Sequence, residues 1–244
     1  MTRGGGTAVV VGVGASRGLG AALCRRFARE GLHAFAAGRT AARVDALAGE
    51  IRRAGGAATG VAADTTSEAD LAGLFDAAEA AGPVALAVFN AGNMRVGNLA
   101  DMQAGAFEET WRVSCLGGFL VGREAARRML PRGAGTLLFT GATASLRARP
   151  PFGAFAAAKA GLRAVAHDLA RELGPRGIHV GHVIVDGVIR GEQVLSRMPE
   201  IEKRLGADGM LDVDAIADAY WALHTQERTA WTLELDLRPY KESF

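Results

Sequence analysis

Short β-branched runs alternate with longer Ala-rich helical stretches along the whole chain, and this alternation constrains the fold more than any other feature. Strands are placed at Ala8 to Gly12, His33 to Ala37, Ala58 to Ala62, Val84 to Phe89, Gly135 to Thr140, His179 to Val185 and Trp231 to Leu237, with helices in the gaps. A strand that leads through a helix into the next strand returns parallel to itself. Seven such units predict a Rossmann-type, doubly wound parallel sheet with helices on both faces. Leu19, Leu23, Phe27 and Leu32 keep one face of the first helix apolar, as Leu71, Leu74 and Phe75 do for the third. Gly31, Gly55, Gly82 and Gly174 stand where helices should stop. No Pro- or Ser-rich linker interrupts the rhythm, so residues 1–244 read as one domain.

Composition removes several function classes. Hydrophobic residues make up 49% and charged residues 22%, enough apolar material for a real core. The net charge is only +2, and the basic pairs Arg25-Arg26, Arg52-Arg53 and Arg127-Arg128 are scattered, so no nucleic-acid partner is implied. No apolar run approaches the roughly 20 residues that cross a bilayer, so no membrane partner is expected either. Cys24 and Cys115 lie far apart in helical stretches, which fits buried thiols in a reducing, cytoplasmic compartment. Metal-ligand spacing is absent, and His167 and His182 read as structural residues of a helix and a strand.

The first strand runs through Val13-Gly14-Ala15-Ser16-Arg17-Gly18-Leu19-Gly20 into a helix, the context that a dinucleotide fingerprint requires. Gly14 is expected to take the tight turn, Gly18 to let backbone approach a pyrophosphate, and Gly20 to allow close helix-strand packing. The amides at the helix start favour negative charge. The end of the second strand reads Gly38-Arg39 and carries no acid. A carboxylate there would accept from a free ribose hydroxyl, whereas Arg39 with Arg17 suits a 2′-phosphate, so NADP(H) is favoured over NAD(H).

The spacing Gly14, Gly18, Gly20 resembles the short-chain dehydrogenase/reductase family, and further matches extend over nearly the whole chain. Asn90-Ala91-Gly92 is similar to the family's Asn-Ala-Gly motif beside the cofactor. Asp64 matches the residue that holds the adenine amino group, and an Asp there is also an ordinary helix-start residue. The resemblance places Asp186-Gly187 and Ile189 at the family's Pro-Gly motif, beside the nicotinamide carboxamide. It implies a homodimer built on the Phe152 to Leu173 helix and its predecessor, or a homotetramer that adds the last strand. The small residues Ala154, Ala157, Ala158, Gly161 and Ala164 permit such an approach, or equally serve one subunit alone.

The pattern breaks where the chemistry should be. The family places a Tyr acid four residues before a Lys, with a Ser 13 residues before the Tyr and an Asn on the preceding helix. Here Lys159 is present, but Phe155 stands for the Tyr, Ala142 for the Ser and Ser114 for the Asn. A positioned general acid contributes roughly 10² to 10⁴ in rate, so ordinary ketone reduction through that tetrad is not expected. Thr143, Ser145 and Ser114 are nearby hydroxyl donors, Tyr220 and Tyr240 lie in the C-terminal segment, and Asp186 is either a reacting group or a turn former.

Arg147, Arg149 and Arg190 fall in loops that frame the substrate mouth, where they clamp an anionic substrate group or remain solvated. Residues 190–210 resemble the family's variable lid over a small-molecule substrate. Three readings stay open: an NADP(H)-dependent oxidoreductase acting on an activated C=C or a carbonyl, a cofactor-binding protein without redox chemistry, and a non-redox cyclase, isomerase or dehydratase.

Overall fold

The computed structural model describes residues 5–242. Strands β1 (Thr7–Val11), β2 (His33–Gly38), β3 (Ala58–Ala62), β4 (Val84–Phe89), β5 (Gly135–Thr140), β6 (Ile178–Val185) and β7 (Glu234–Leu237) form one sheet in the order 3-2-1-4-5-6-7. Every pairing is parallel. The connections are α1 (Leu19–Arg29), α2 (Ala41–Arg53), α3 (Glu68–Ala81), α4 (Ala104–Trp111) continued into α5 (Gly117–Met129), and α6 (Gly153–Leu173). After β6 come α7 (Glu192–Arg197), α8 (Ile201–Leu205) and α9 (Val213–His224). Trp231 lies ahead of β7 rather than in it: the next residue, Thr232, gives its N–H to the Gln226 side chain at 2.8 Å, and the Trp231 ring stacks on His179 at 5.0 Å.

Alternation along the strands divides the core into two layers. Ala8 and Val10 of β1 face α1, α2 and α9, while Val9 and Val11 face α3, α5 and α6. All five β1 residues are buried, and each buried valine contributes roughly 1.5–3 kcal/mol of transfer free energy. Gly31, Gly55 and Gly82 follow α1, α2 and α3 as expected. Gly174 does not end the sixth helix in a left-handed turn. It keeps helical angles, the chain tightens through 174–176, and Gly177 takes the left-handed position at φ 84°.

The small residues of α6 divide between the inside of the subunit and its surface. Ala154 and Ala158 are buried inside the subunit, and a Cβ on Gly161 would lie 2.8 Å from Cys115 Sγ, whereas Ala157 and Ala164 face outward. Between α4 and α5 the helix widens into a π turn, Arg112–Leu116, which carries Ser114 and Cys115 inward. Cys24 and Cys115 are both free thiols, and burial pushes the Cys24 thiol up to about 12. Among the described residues no helix is long and apolar enough to cross a membrane.

Candidate active site

The chain crosses from one side of β1 to the other between β3 and β4, so the C-terminal ends of β1 and β4 open a crevice at the switch point of the sheet. The Gly-rich turn, Asn90, Ala91 and Gly92 gather there. The tight turn belongs to Gly12, a residue that the spacing argument passed over. Gly12 has φ 102°, and a Cβ on it would stand 2.3 Å from the Ala91 nitrogen. Gly14 is exposed, and a Cβ there would meet nothing within 4 Å. Gly20 packs as expected, its would-be Cβ only 2.9 Å from the Gly12 oxygen. Asn90 ties the two loops together, with its N–H donating to Val11 O at 2.8 Å and Nδ2 to Gly12 O at 3.1 Å.

The start of α1, like those of α2, α4 and α6, has no side-chain cap and no acid in its first turn, but it alone follows the Gly-rich turn at the end of β1. Ser67 caps α3 and Asp212 caps α9 by accepting backbone amides, as local side chains do at ordinary helix ends. Gly18 gives α1 no side-chain cap, and its first turn, beginning at Leu19, contains no acid, so its positive end is left for an anion. Ser16, Arg17 and Arg39 are exposed along this rim. Ser16 Oγ and the Arg17 N–H both donate to one carboxylate oxygen of Glu192, at 3.3 and 3.4 Å, and the Glu192 N–H donates back to Arg17 O at 3.2 Å. Across the groove, Asp64 Oδ1 accepts the Thr66 N–H and hydroxyl at 2.8 Å each. Those bonds, with Arg39 nearby, hold the carboxyl below its usual range.

At the other end of the crevice Lys159 is 4% exposed and its Nζ donates to Thr140 O at 2.7 Å. Burial pulls its ammonium down to about 8. A Cβ on Gly92 would stand 3.7 Å from Lys159 Nζ and 3.9 Å from Ser114 Oγ, so these three residues meet. Ser114 is fully buried and accepts the Asn93 N–H at 3.0 Å. The Phe155 ring centroid lies 5.7 Å from Lys159 Nζ, a cation-π contact in place of a phenol. Neither tyrosine supplies the missing acid. Tyr220 is buried against Thr140 Oγ1 at 2.7 Å on the α9 side of the sheet, where burial raises its pKa, and Tyr240 is 77% exposed.

Ala142 begins a short turn, Thr143–Ser145, and its N–H donates to Ser145 Oγ at 3.1 Å. Thr143 donates its hydroxyl proton to Asp186 Oδ1. Asp186 is 2% exposed, and its Oδ2 faces Arg147 at 3.3 Å and Arg238 at 3.2 Å. It is therefore the centre of an ion cluster rather than only a turn former. The anion clamp is largely occupied from within: Arg147 pairs with Asp186 and Arg190 with Glu202, while Arg149 is exposed. Gly187 takes φ 142°, and Ile189 bridges to Leu211, so residues 190–210 form an excursion closed at its base.

The profile of the short chain dehydrogenase family matches residues 8–194. The chain belongs to that family. It is 32% identical over 221 residues to the uncharacterized oxidoreductase YuxG of Bacillus subtilis, covering 89% of this chain and 31% of that protein. This chain thus spans about a third of that relative's length. A short-chain dehydrogenase from Rhodopseudomonas palustris superposes with TM-score 0.83 at 37% identity, over 96% of this chain and 99% of that one. A metagenomic short-chain oxidoreductase in complex with NADP superposes with TM-score 0.82 at 27% identity, over 97% and 98%.

The short-chain dehydrogenase fold binds nicotinamide dinucleotides, and the crevice here fits one. The α1 start has free amides and no acid to meet a phosphate, Gly14 leaves its backbone open with nothing within 4 Å of a Cβ, and Lys159 is buried at the other end of the crevice on Thr140. Sequence reasoning gave no role to Glu192, Arg238, Arg163 or Glu234, and it read His167 and His182 as structural, which they are in the group they form with Arg163 and Glu234. That last group lies behind Lys159: Arg163 grips Glu234 at 2.6 and 2.8 Å, and both histidines donate to it at 3.0 and 3.1 Å. The i, i+4, i+8 spacing of Lys159, Arg163 and His167 is the signal that shows one polar helix face in advance.

Proposed function

We propose that this chain is an NADP(H)-dependent oxidoreductase that exchanges hydride with a carbonyl or alcohol carbon of a small-molecule substrate and does so without a tyrosine acid. One observation carries the reading: Lys159 is buried, anchored on Thr140 and adjacent to Gly92, while Phe155 and Ala142 occupy the places where a phenol and a serine would act. The cofactor, when bound, supplies or accepts the hydride. The chain's residues do the rest. The α1 start, with Leu19 and Gly20, holds the pyrophosphate, Lys159 holds the nicotinamide ribose, and Asp186, Gly187 and Ile189 line the carboxamide side.

Exposed Arg17 and Arg39, with no carboxylate at the end of β2, support NADP(H), as does the NADP complex of the metagenomic relative. The charge on Asp186 works against an enolate beside it, so reduction of an activated C=C is the weaker reading. The apolar Phe155 and Ala142 pair favours one second reading, a cofactor-binding protein without redox chemistry. Exposed Phe107, Trp111 and Phe119 on α4 and α5, next to outward-facing Ala157 and Ala164, support a homodimer or homotetramer, and residues 190–210 act as its lid. Two free buried thiols support a reducing, cytoplasmic setting.

Fluorescence titration tests the cofactor half. NADPH is expected to bind at least about tenfold more tightly than NADH, the value of one charge-assisted contact at roughly 1.5–3 kcal/mol. Equal affinities refute the arginine argument. The double variant Ala142→Ser with Phe155→Tyr tests the reacting half: it is expected to gain reduction of simple ketones by roughly 10² or more over the unmodified protein. No gain in a variant that still binds NADPH favours the non-redox reading.

A further inference from the structure

Thr143 and Asp186 leave the C-terminal ends of β5 and β6 beside each other, next to the position where Ala142 has replaced a hydroxyl. The two oxygens of Asp186 have different partners. Oδ2 faces the guanidinium groups of Arg147 and Arg238, whereas Oδ1 receives the Thr143 hydroxyl. Oδ2 is thus taken by cations, and Oδ1 is left as the acceptor for the Thr143 proton. Thr143 has given its only proton to the carboxylate, so what it presents to the crevice is a pair of lone pairs. Such a hydroxyl accepts from its ligand, and the fitting ligand carries an O–H. The other candidate hydroxyls are not wired to a carboxylate: Ser114 accepts from Asn93, Ser145 from Ala142, and Tyr220 faces the opposite side of the sheet.

We propose that Thr143 and Asp186 are the proton relay that replaces the missing phenol, with Thr143 touching the substrate oxygen and Asp186 as base, and that the reaction is oxidation of a secondary alcohol. This rests on the oxidoreductase reading above. The carbinol C–H bond breaks and its electron pair leaves as hydride to the oxidised nicotinamide dinucleotide. The substrate O–H proton passes to Thr143 Oγ1, the Thr143 proton passes to Asp186 Oδ1, and the C=O double bond forms. In reverse, protonated Asp186 returns its proton through Thr143 to the alkoxide. Oδ1 is the proton-accepting oxygen of the relay because Oδ2 is taken by two guanidinium groups. The charged groups facing it are Arg147 from the turn after β5, Arg238 from the segment after β7 and Glu242, whose Oε2 would be 3.5 Å from a Cβ on Gly187.

The test uses the full chain with NADP⁺ and three probes, isopropanol, cyclohexanol and a benzylic alcohol, from acid to alkaline pH. Turnover of at least one probe is expected. Thr143→Val and Asp186→Asn should each lose roughly 10²-fold in kcat or more, with the NADP⁺ affinity of Thr143→Val held within about twofold, while Thr143→Ser keeps about a tenth of the rate or better. The acid-side fall of kcat/KM should carry one proton in the unmodified protein and vanish from the residual rate of Asp186→Asn. A readout without cofactor accompanies these: on acidification, infrared spectra should show a carboxylic-acid band that is absent in Asp186→Asn and displaced in Thr143→Val. Protein that binds NADP⁺ yet oxidises none of the probes overturns the relay. So does Thr143→Val turning over within threefold of the unmodified chain, or losing cofactor affinity at unchanged kcat. Failure to bind NADP⁺ at all defeats the oxidoreductase reading itself, a separate and recognisable result.

Discussion

Removing the Glu192 carboxylate should tighten NADPH binding, because that carboxylate accepts from Ser16 Oγ and the Arg17 amide on the turn that a phosphate must approach. Both bonds are long and exposed, so each contributes near the low end of the usual range, about 0.5 kcal/mol, and together about 1 kcal/mol is lost when a phosphate takes the donors. A second contribution is repulsion. Two like charges about 6 Å apart in water cost about 0.7 kcal/mol before salt screening. The sum, roughly 1.5–2 kcal/mol, corresponds to about 10- to 30-fold in Kd for Glu192→Ala. Glu192→Gln keeps an acceptor and removes the charge, so about threefold is expected. NADPH fluorescence titrations at low and high ionic strength separate the contributions: the Gln effect should shrink with salt, while the excess of Ala over Gln should persist. NADH, one phosphate poorer, should gain less. If Glu192→Ala binds NADPH no better than the unmodified chain, the carboxylate and the phosphate do not compete. Weaker binding would mean that Glu192 holds the cofactor.

Two further expectations concern stability against pH. Lys159 has a folded-state pKa lowered from 10.5 to about 8, so the unfolded chain binds the extra proton between those values and stability rises with pH across that window. Below about pH 8 the buried charge costs on the order of 3 kcal/mol before its bond to Thr140 offsets part of it, so Lys159→Met should raise Tm at pH 7. In thermal melts this advantage should fade by pH 10, and an advantage that does not change with pH contradicts the burial argument. His182 and His224 are both lowered from 6.5 to about 4, chiefly by burial, so they are neutral in the fold and charge on unfolding. Stability should fall on acidification from about 6.5 to 4, with these two groups contributing up to two protons, roughly 2.7 kcal/mol per pH unit, and His33 and His179, lowered too by burial, adding to it; in urea unfolding, His224→Asn should lower the slope by up to about one proton.

What could be read in advance, and what could not, follows from the distance over which each feature is determined. The strand and helix alternation, the apolar face of α1 and the uncapped glycine turn are local, and local pattern fixed them to within a residue or two at β1, β2 and β6. The exception at the Gly-rich turn was decided by a residue far along the chain. Gly12 rather than Gly14 bends the turn because Ala91 leaves no room for a Cβ, and Ala91 arrives from 79 positions further along the chain. Trp231 has the β-propensity of a strand residue, but the chain there is held by Gln226, which takes the Thr232 N–H.

The reacting end shows the same division more sharply. Substitutions at Ala142, Phe155 and Ser114 were visible as departures from a spacing, so the loss of the acid was legible. Its replacement was not, because nothing in the order of residues says that Thr143 and Asp186, 43 positions apart, share a proton, or that Arg238 arrives from beyond β7 to hold the other oxygen. Parallel topology produces this: each strand delivers its C-terminal residue to the same edge, so neighbours in the crevice come from different crossovers and are remote in sequence. A scan limited to one motif at a time therefore finds what has been deleted from such a site before it finds what has been added. The added parts become visible once the strand order places β5, β6 and β7 side by side, which brings Thr143, Asp186 and Arg238 to adjacent strand ends.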